Sequence, residues 1–169
     1  MGIVSEPFPI ANYGTSLATV TQEVQGSLIG LRGGDVVTGL VLYNTIAASG
    51  TAPTTGRFGL ADSTGKILVL SGNINAAASW ALGANQYAFT APYTVLADGA
   101  YYACFVVNGT WSVTQPQPVY CTANASTLTT LGSNLIPAFK WTGQTDLPAV
   151  GASLTMTAVT VKFHYIGAY

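Results

Sequence analysis

Six acidic side chains, one histidine and two cysteines are the residues of this 169-residue chain whose types could do chemistry. Glycoside hydrolysis needs two carboxylates facing one sugar, to be drawn from Glu6, Glu23, Asp35, Asp62, Asp98 and Asp146. Each reads instead as arm, strand face or turn. Asp35 and Asp98 sit in Gly-Gly-Asp-Val and Ala-Asp-Gly-Ala, and Asp146 follows Thr-Gly-Gln-Thr. Alternation places His164 on the outer face of the last strand beside Lys162, the place of an exposed or interface residue rather than a general base. No Gly-x-Ser-x-Gly elbow is present. The chain is therefore read as non-enzymatic, with no catalytic residue and no cofactor.

The stretch RFGLADSTGKILVLSG, residues 57–72, poses a sharper choice. Its Asp62-Ser63-Thr64-Gly65 could hold a metal, cradle a phosphate or turn the chain. A calcium loop needs several carboxylates at alternate positions, and only Asp62 is there. A phosphate loop would follow Gly65-Lys66 with Ser or Thr, where this chain has Ile67. The expectation is a hairpin turn, opened by the Asp62 side chain and passed by Gly65 at positive φ.

Cys104 and Cys121 could form a disulfide or stay as two buried thiols. A hairpin of 99–108 with 117–121 would set their sulfurs within bridging reach. The start MGIVSEPFPIANYG lacks a basic n-region and an apolar core, so no secretory signal is read and reduced thiols are preferred. A zinc site has no Cys-x-x-Cys and a distant histidine against it.

The elements that would position these residues follow from period two. In TAVTVKFHY, residues 157–165, Thr157, Val159, Val161, Phe163 and Tyr165 share one face of an expected half-exposed strand. QYAFTA turns Tyr87 and Phe89 inward, and ATVTQEV, residues 18–24, alternates likewise. DVVTGLVLYN and GAYYACFVVNG are apolar on both faces and so must be covered twice, by a loop or by a neighbouring subunit. Low charge favours the neighbour. Gly, Pro and Asn-rich breaks separate these runs. The expected fold is all-β, a single antiparallel β-sandwich, jelly-roll-like, of about nine to ten strands spanning 15–169. Residues 1–14 read as an extended arm whose Ile3, Val4, Pro7, Phe8, Pro9 and Ile10 are candidate partner contacts.

Only 7% of residues are charged, against about 25% in ordinary soluble domains. With so little charge to keep copies apart, oligomerisation or docking is expected, a trimer being favoured. A net charge of −1 without a basic run argues against nucleic acid. No apolar run approaches the roughly 18 residues of a membrane span, so no membrane is expected. Trp80, Trp111 and Trp141 lie in or near expected loops; they are candidates for packing at a core or subunit interface, or for stacking on a sugar ring.

Residues 26–110 carry a further pattern: Gly-x-Val-Val-Thr closing in a strand, Gly-Thr-Ala-Pro-Thr, Leu-x-Asp-Ser-x-Gly, then Pro-Tyr-Thr-Val-x-Ala-Asp-Gly-x-Tyr-Tyr. This resembles the β-sandwich virion accessory proteins of tailed bacteriophages, the head decoration, head fibre and minor tail group, especially of phages of actinobacteria. The resemblance implies a structural protein of the virion, assembled in the host cytoplasm, whose partners are the major capsid protein or other virion proteins. It implies a capsid decoration subunit first, and a short tail or head-fibre adhesin for host glycan as the alternative. It transfers no catalytic residue, because the shared positions are turns and core.

Overall fold

Alternation and turn chemistry become twelve strands in the computed structural model, which describes residues 13–16, 18–121, 138–158, 163–164 and 166–169. In chain order they are β1 (Tyr13–Ser16), β2 (Glu23–Leu31), β3 (Val36–Ile46), β4 (Thr55–Asp62), β5 (Ile67–Leu70), β6 (Gly83–Thr94), β7 (Gly99–Asn108), β8 (Gln117–Cys121), β9 (Ala138–Thr142), β10 (Thr157–Ala158), β11 (Phe163–His164) and β12 (Ile166–Ala168). Among the described residues a 3-10 turn, Ala77–Trp80, interrupts them. The first sheet runs β1-β8-β3-β12, with β11 on β8 and β6 on β3; the second runs β10-β9-β2-β7-β4-β5. Every ladder between these described strands is antiparallel. The expected all-β sandwich is what forms.

Aromatic side chains fill the space between the sheets. Phe58 stacks on Tyr87 at 3.9 Å between ring centroids and lies 5.6 Å from Phe105. Leu40, Leu42, Leu60, Ala103 and Ile166 close around them, each fully buried. Tyr87 and Phe89 point inward while Gln86, Ala88 and Thr90 are exposed, as alternation predicts. Burial pushes the Tyr87 hydroxyl far above its ordinary value, with the Asn44 side chain partly offsetting it.

A second cluster covers the outer face of the second sheet, and it corrects the expectation of a neighbouring subunit there. Tyr102, Cys104 and Val106 of β7 point away from the main core into a layer with Val24, Phe139, Leu147 and Leu154. The segment 143–156 supplies this cover from within the chain. Its Asp146 meets Arg57 at 2.6 Å and also accepts the Leu147 amide at 2.8 Å. With Arg57 a quarter and Asp146 two-fifths exposed, the pair itself contributes about 1 kcal/mol or less. Residues 151–154 bond beside the start of β5, Ile67 N to Ala152 O at 2.8 Å and Leu154 N to Gly65 O at 2.9 Å, which covers that end of the sheet edge.

Three more expectations change. Residues 18–20 are outside any strand, Gln22 takes φ 57, and Val20 is 46% exposed, so 18–24 is not one alternating strand. The run 157–165 is divided between the sheets: β10 pairs with β9 in the second, β11 with β8 in the first. β7 and β8 likewise lie in different sheets, so no hairpin aligns Cys104 with Cys121, and Cys104 is a free, buried thiol. The arm contacts Ile3, Val4, Pro7, Phe8, Pro9 and Ile10 lie outside the described residues, and β1 begins at Tyr13, two residues inside the expected arm 1–14.

Candidate functional site

The turn at Asp62 is where a ligand-binding reading could have survived, and its geometry is that of a turn. Asp62 Oδ1 accepts the Thr64 amide at 2.9 Å, the Thr64 hydroxyl at 2.6 Å and the Lys66 amide at 3.1 Å. Gly65 takes φ 86, and β4 pairs with β5 on either side. Among the described residues no three His, Cys, Asp or Glu side chains gather as a metal site. Among them, too, no helix is long and apolar enough to cross a membrane.

Strand registers sort the loops into two poles. At one, Leu31 faces Gly99 and Val36 faces Thr94, so the loops 32–35, 62–66 and 95–98 come together. This pole carries Arg32, Asp35, Asp62, Lys66 and Asp98. Its turns are locally fastened: Asp98 accepts the Gly33 amide at 2.7 Å, Asp35 the Arg32 amide at 2.9 Å, and Tyr101 donates to the Ala97 carbonyl at 2.9 Å.

At the opposite pole Asn44 faces Gly83, Ile46 faces Gln117, and Thr55 faces Asn108. Residues 18–22, 47–54, 72–82 and 109–116 form it without a charged residue, and the loop 143–146 joins them through Gln144 N to Gln22 O at 2.9 Å, bringing Asp146 and its partner Arg57 beside Glu23. These loops are stitched together by Ala48 N to Trp80 O at 2.9 Å, Ser49 N to Thr114 O at 3.0 Å, Thr51 N to Ser112 Oγ at 2.7 Å and Gly109 N to Thr21 Oγ1 at 2.9 Å. Gln115 Nε2 donates to both Thr19 oxygens from the other side. Gly50, at φ 82, lets the backbone pass Ser112 and Val113 where a Cβ would stand 2.3 Å from Ser112 Oγ. From this knitted surface project Leu82, 68% exposed, and Val113, 75% exposed, with Val20 and Ile46 partly so.

The three tryptophans part company here. Trp80 is fully buried; its indole N–H donates to the Ile74 carbonyl at 3.2 Å, and its rings lie 5.5 Å from Phe58 and 5.3 Å from Tyr87. It is a plug in the core, which agrees with the core-packing alternative and removes it as a ligand or interface aromatic. The residues around it, Ala76 to Ala81, have the composition of a loop, but the short 3-10 turn swings Trp80 between the sheets. Trp141 stands on β9, half-buried against the outer cluster. Trp111 alone faces an opening. With Thr21, Gly109, Thr110, Val113 and Gln115 it lines a cleft of about 300 Å³, and its far side packs edge-on against Trp80 at 5.7 Å. Such a cleft offers an aromatic wall, hydroxyls and an amide, without charge.

No family model, no curated protein and no solved structure matches the chain. The positions that carry the sequence pattern of residues 26–110 hold turns and core here: Val95 and Tyr102 are buried, while Asp62 and Asp98 fasten their loops.

Proposed function

We propose that this protein is a non-enzymatic structural subunit of a tailed-phage virion, a capsid decoration protein that stabilises the head by binding across capsid subunits. The observation that carries the reading is the two-pole division of charge. One pole is solvated by five charged residues, and the other, where Leu82 and Val113 project from four neutral loops beside Glu23 and the Arg57–Asp146 pair, is suited to being covered by protein. The sequence pattern of residues 26–110 supports the virion. A decoration subunit acts mechanically: shell expansion or pressure must also break its contacts, so the bound state is favoured by mass action. Residues 1–14 are the proposed shell contact. The test is to mix purified protein with mature particles stripped of it. Saturation at a ratio matching lattice positions, abolished by deleting 1–14, is expected; binding to cell envelope with none to particles overturns the reading.

A second reading, a short tail or head-fibre adhesin for host glycan, is favoured by the Trp111 cleft, whose uncharged mix of aromatic and hydroxyl groups suits a neutral sugar. It predicts envelope binding lost on Trp111→Ala.

A further inference from the structure

Resting on the adhesin reading, we infer that Gln115 and Thr21 set the specificity of the Trp111 cleft, which takes one neutral pyranose ring and reads it through two hydroxyl groups. The bonds around the cleft fix which polar atoms are left for a ligand. Gln115 Nε2 donates to the Thr19 carbonyl and to Thr19 Oγ1. A carbonyl can only accept, so the amide has one orientation and its Oε1 remains as an acceptor. Thr21 Oγ1 accepts the Gly109 amide at 2.9 Å, which leaves the hydroxyl hydrogen of this exposed residue to donate outward. The backbone at Thr21 is fixed as well. Gln22 beside it is held at φ 57 by Gln22 N to Val107 O at 2.7 Å and Gln144 N to Gln22 O at 2.9 Å. A glutamine adopts that left-handed conformation at a cost, met here by bonds at both of its backbone groups.

The lining, Thr21, Gly109, Thr110, Trp111, Val113 and Gln115, decides among ligand classes. Among the described residues no Lys or Arg lines the cleft, so a phosphate or carboxylate would lose hydration without a counter-charge. No Asp or Glu among them lines it either, which disfavours a cation in the same way. A wholly apolar molecule would cover Gln115 Oε1 and the Thr21 hydroxyl and leave both unpaired. A volume of about 300 Å³ is at the small end of ligand sites, room for one or two rings and not for a helix or a strand. A pyranose meets all of these conditions: it is uncharged and one ring in size, with a C–H face for Trp111 and rim hydroxyls for Gln115 and Thr21. Trp111, packed edge-on against Trp80 at 5.7 Å, is in place before the sugar arrives, so little ordering is left to binding.

The experiment is an NMR titration of the full, isotopically labelled chain with methyl glucoside, methyl galactoside and methyl mannoside, followed by the amide and indole N–H signals. At least one of the three is expected to move the Trp111 indole and the amides of 109–115 saturably, with a Kd on the order of 1–10 mM for so few contacts. Cyclohexanol, a ring of similar size with one hydroxyl, should act on the same signals roughly tenfold more weakly. Thr21→Val, which keeps the shape and removes the donor, should weaken sugar binding roughly three- to tenfold, with the rest of its amide spectrum unchanged. Inorganic phosphate should not move these signals. No saturable shift with any of the three glycosides, cyclohexanol or phosphate binding as tightly as the sugar, or undiminished binding by Thr21→Val would each overturn the inference. Sugar shifts without envelope binding would keep the cleft and overturn the adhesin; envelope binding without sugar shifts would overturn the cleft and keep an adhesin whose site lies elsewhere.

Discussion

Phe139 lies across Gly26 so closely that a Cβ at position 26 would stand 2.2 Å from its Cε1 and 2.5 Å from its Cζ. The two residues are register partners on β9 and β2, and the ring is held from the side by Tyr102, edge-on at 5.4 Å. Gly26→Ala must therefore displace a buried ring with no free space to enter. The expected loss is about 1–3 kcal/mol in chemical denaturation. Phe139→Leu added to it should recover part of that loss, a coupling that a double-mutant cycle measures directly; full additivity would contradict the contact.

Trp80→Ala should cost about 3–5 kcal/mol, since it empties the space between Phe58, Tyr87 and Trp111. Trp111→Ala, at the cleft, should cost clearly less. Urea unfolding followed by circular dichroism ranks the two, and the reverse order would contradict the placement of Trp80 in the core.

Asp62 ties stability to acid. Burial works against its charged form, but the Thr64 hydroxyl, the Lys66 and Thr64 amides and the Lys66 ammonium outweigh it and hold the carboxyl below its ordinary 3.8. A value lower in the folded chain than in the unfolded one means that the stabilisation is complete above 3.8 and is lost as pH falls through the folded value. Between about pH 5 and about pH 2 the wild-type urea midpoint should fall more steeply than that of Asp62→Asn. Parallel curves would show that the turn does not depend on the carboxylate.

Cys104 should be chemically silent in the folded protein. Burial pushes its thiol up to about 12, and the thiol donates to the Gly59 carbonyl at 3.3 Å. In a Cys121→Ser background a thiol reagent should titrate nothing until denaturant is added, then one equivalent. Reaction at the native state would mean that the outer cluster opens readily.

Local chemistry made part of this molecule legible in its sequence. The Asp62 to Gly65 turn, the inward Tyr87 and Phe89, and the apolar doubling of β3 and β7 all follow from side chains acting within a few residues of themselves. Their placement was beyond such signals. That β7 is covered by 143–156 rather than by a neighbour depends on Leu147 and Leu154 docking some 40 to 50 positions away in sequence, and low charge alone cannot tell one cover from the other. Trp80 sits among alanines that read as loop, and only the gap between two sheets makes it core.

The same division holds for the candidate site. Sequence by itself determined an all-β chain with little charge, because period two, turn residues and composition are local properties. Tertiary structure alone decided which loops share a pole. Residues 18–22, 47–54, 72–82 and 109–116 are neutral segments scattered through the chain, and antiparallel registers bring them to one end while sending Arg32, Asp35, Asp62, Lys66 and Asp98 to the other.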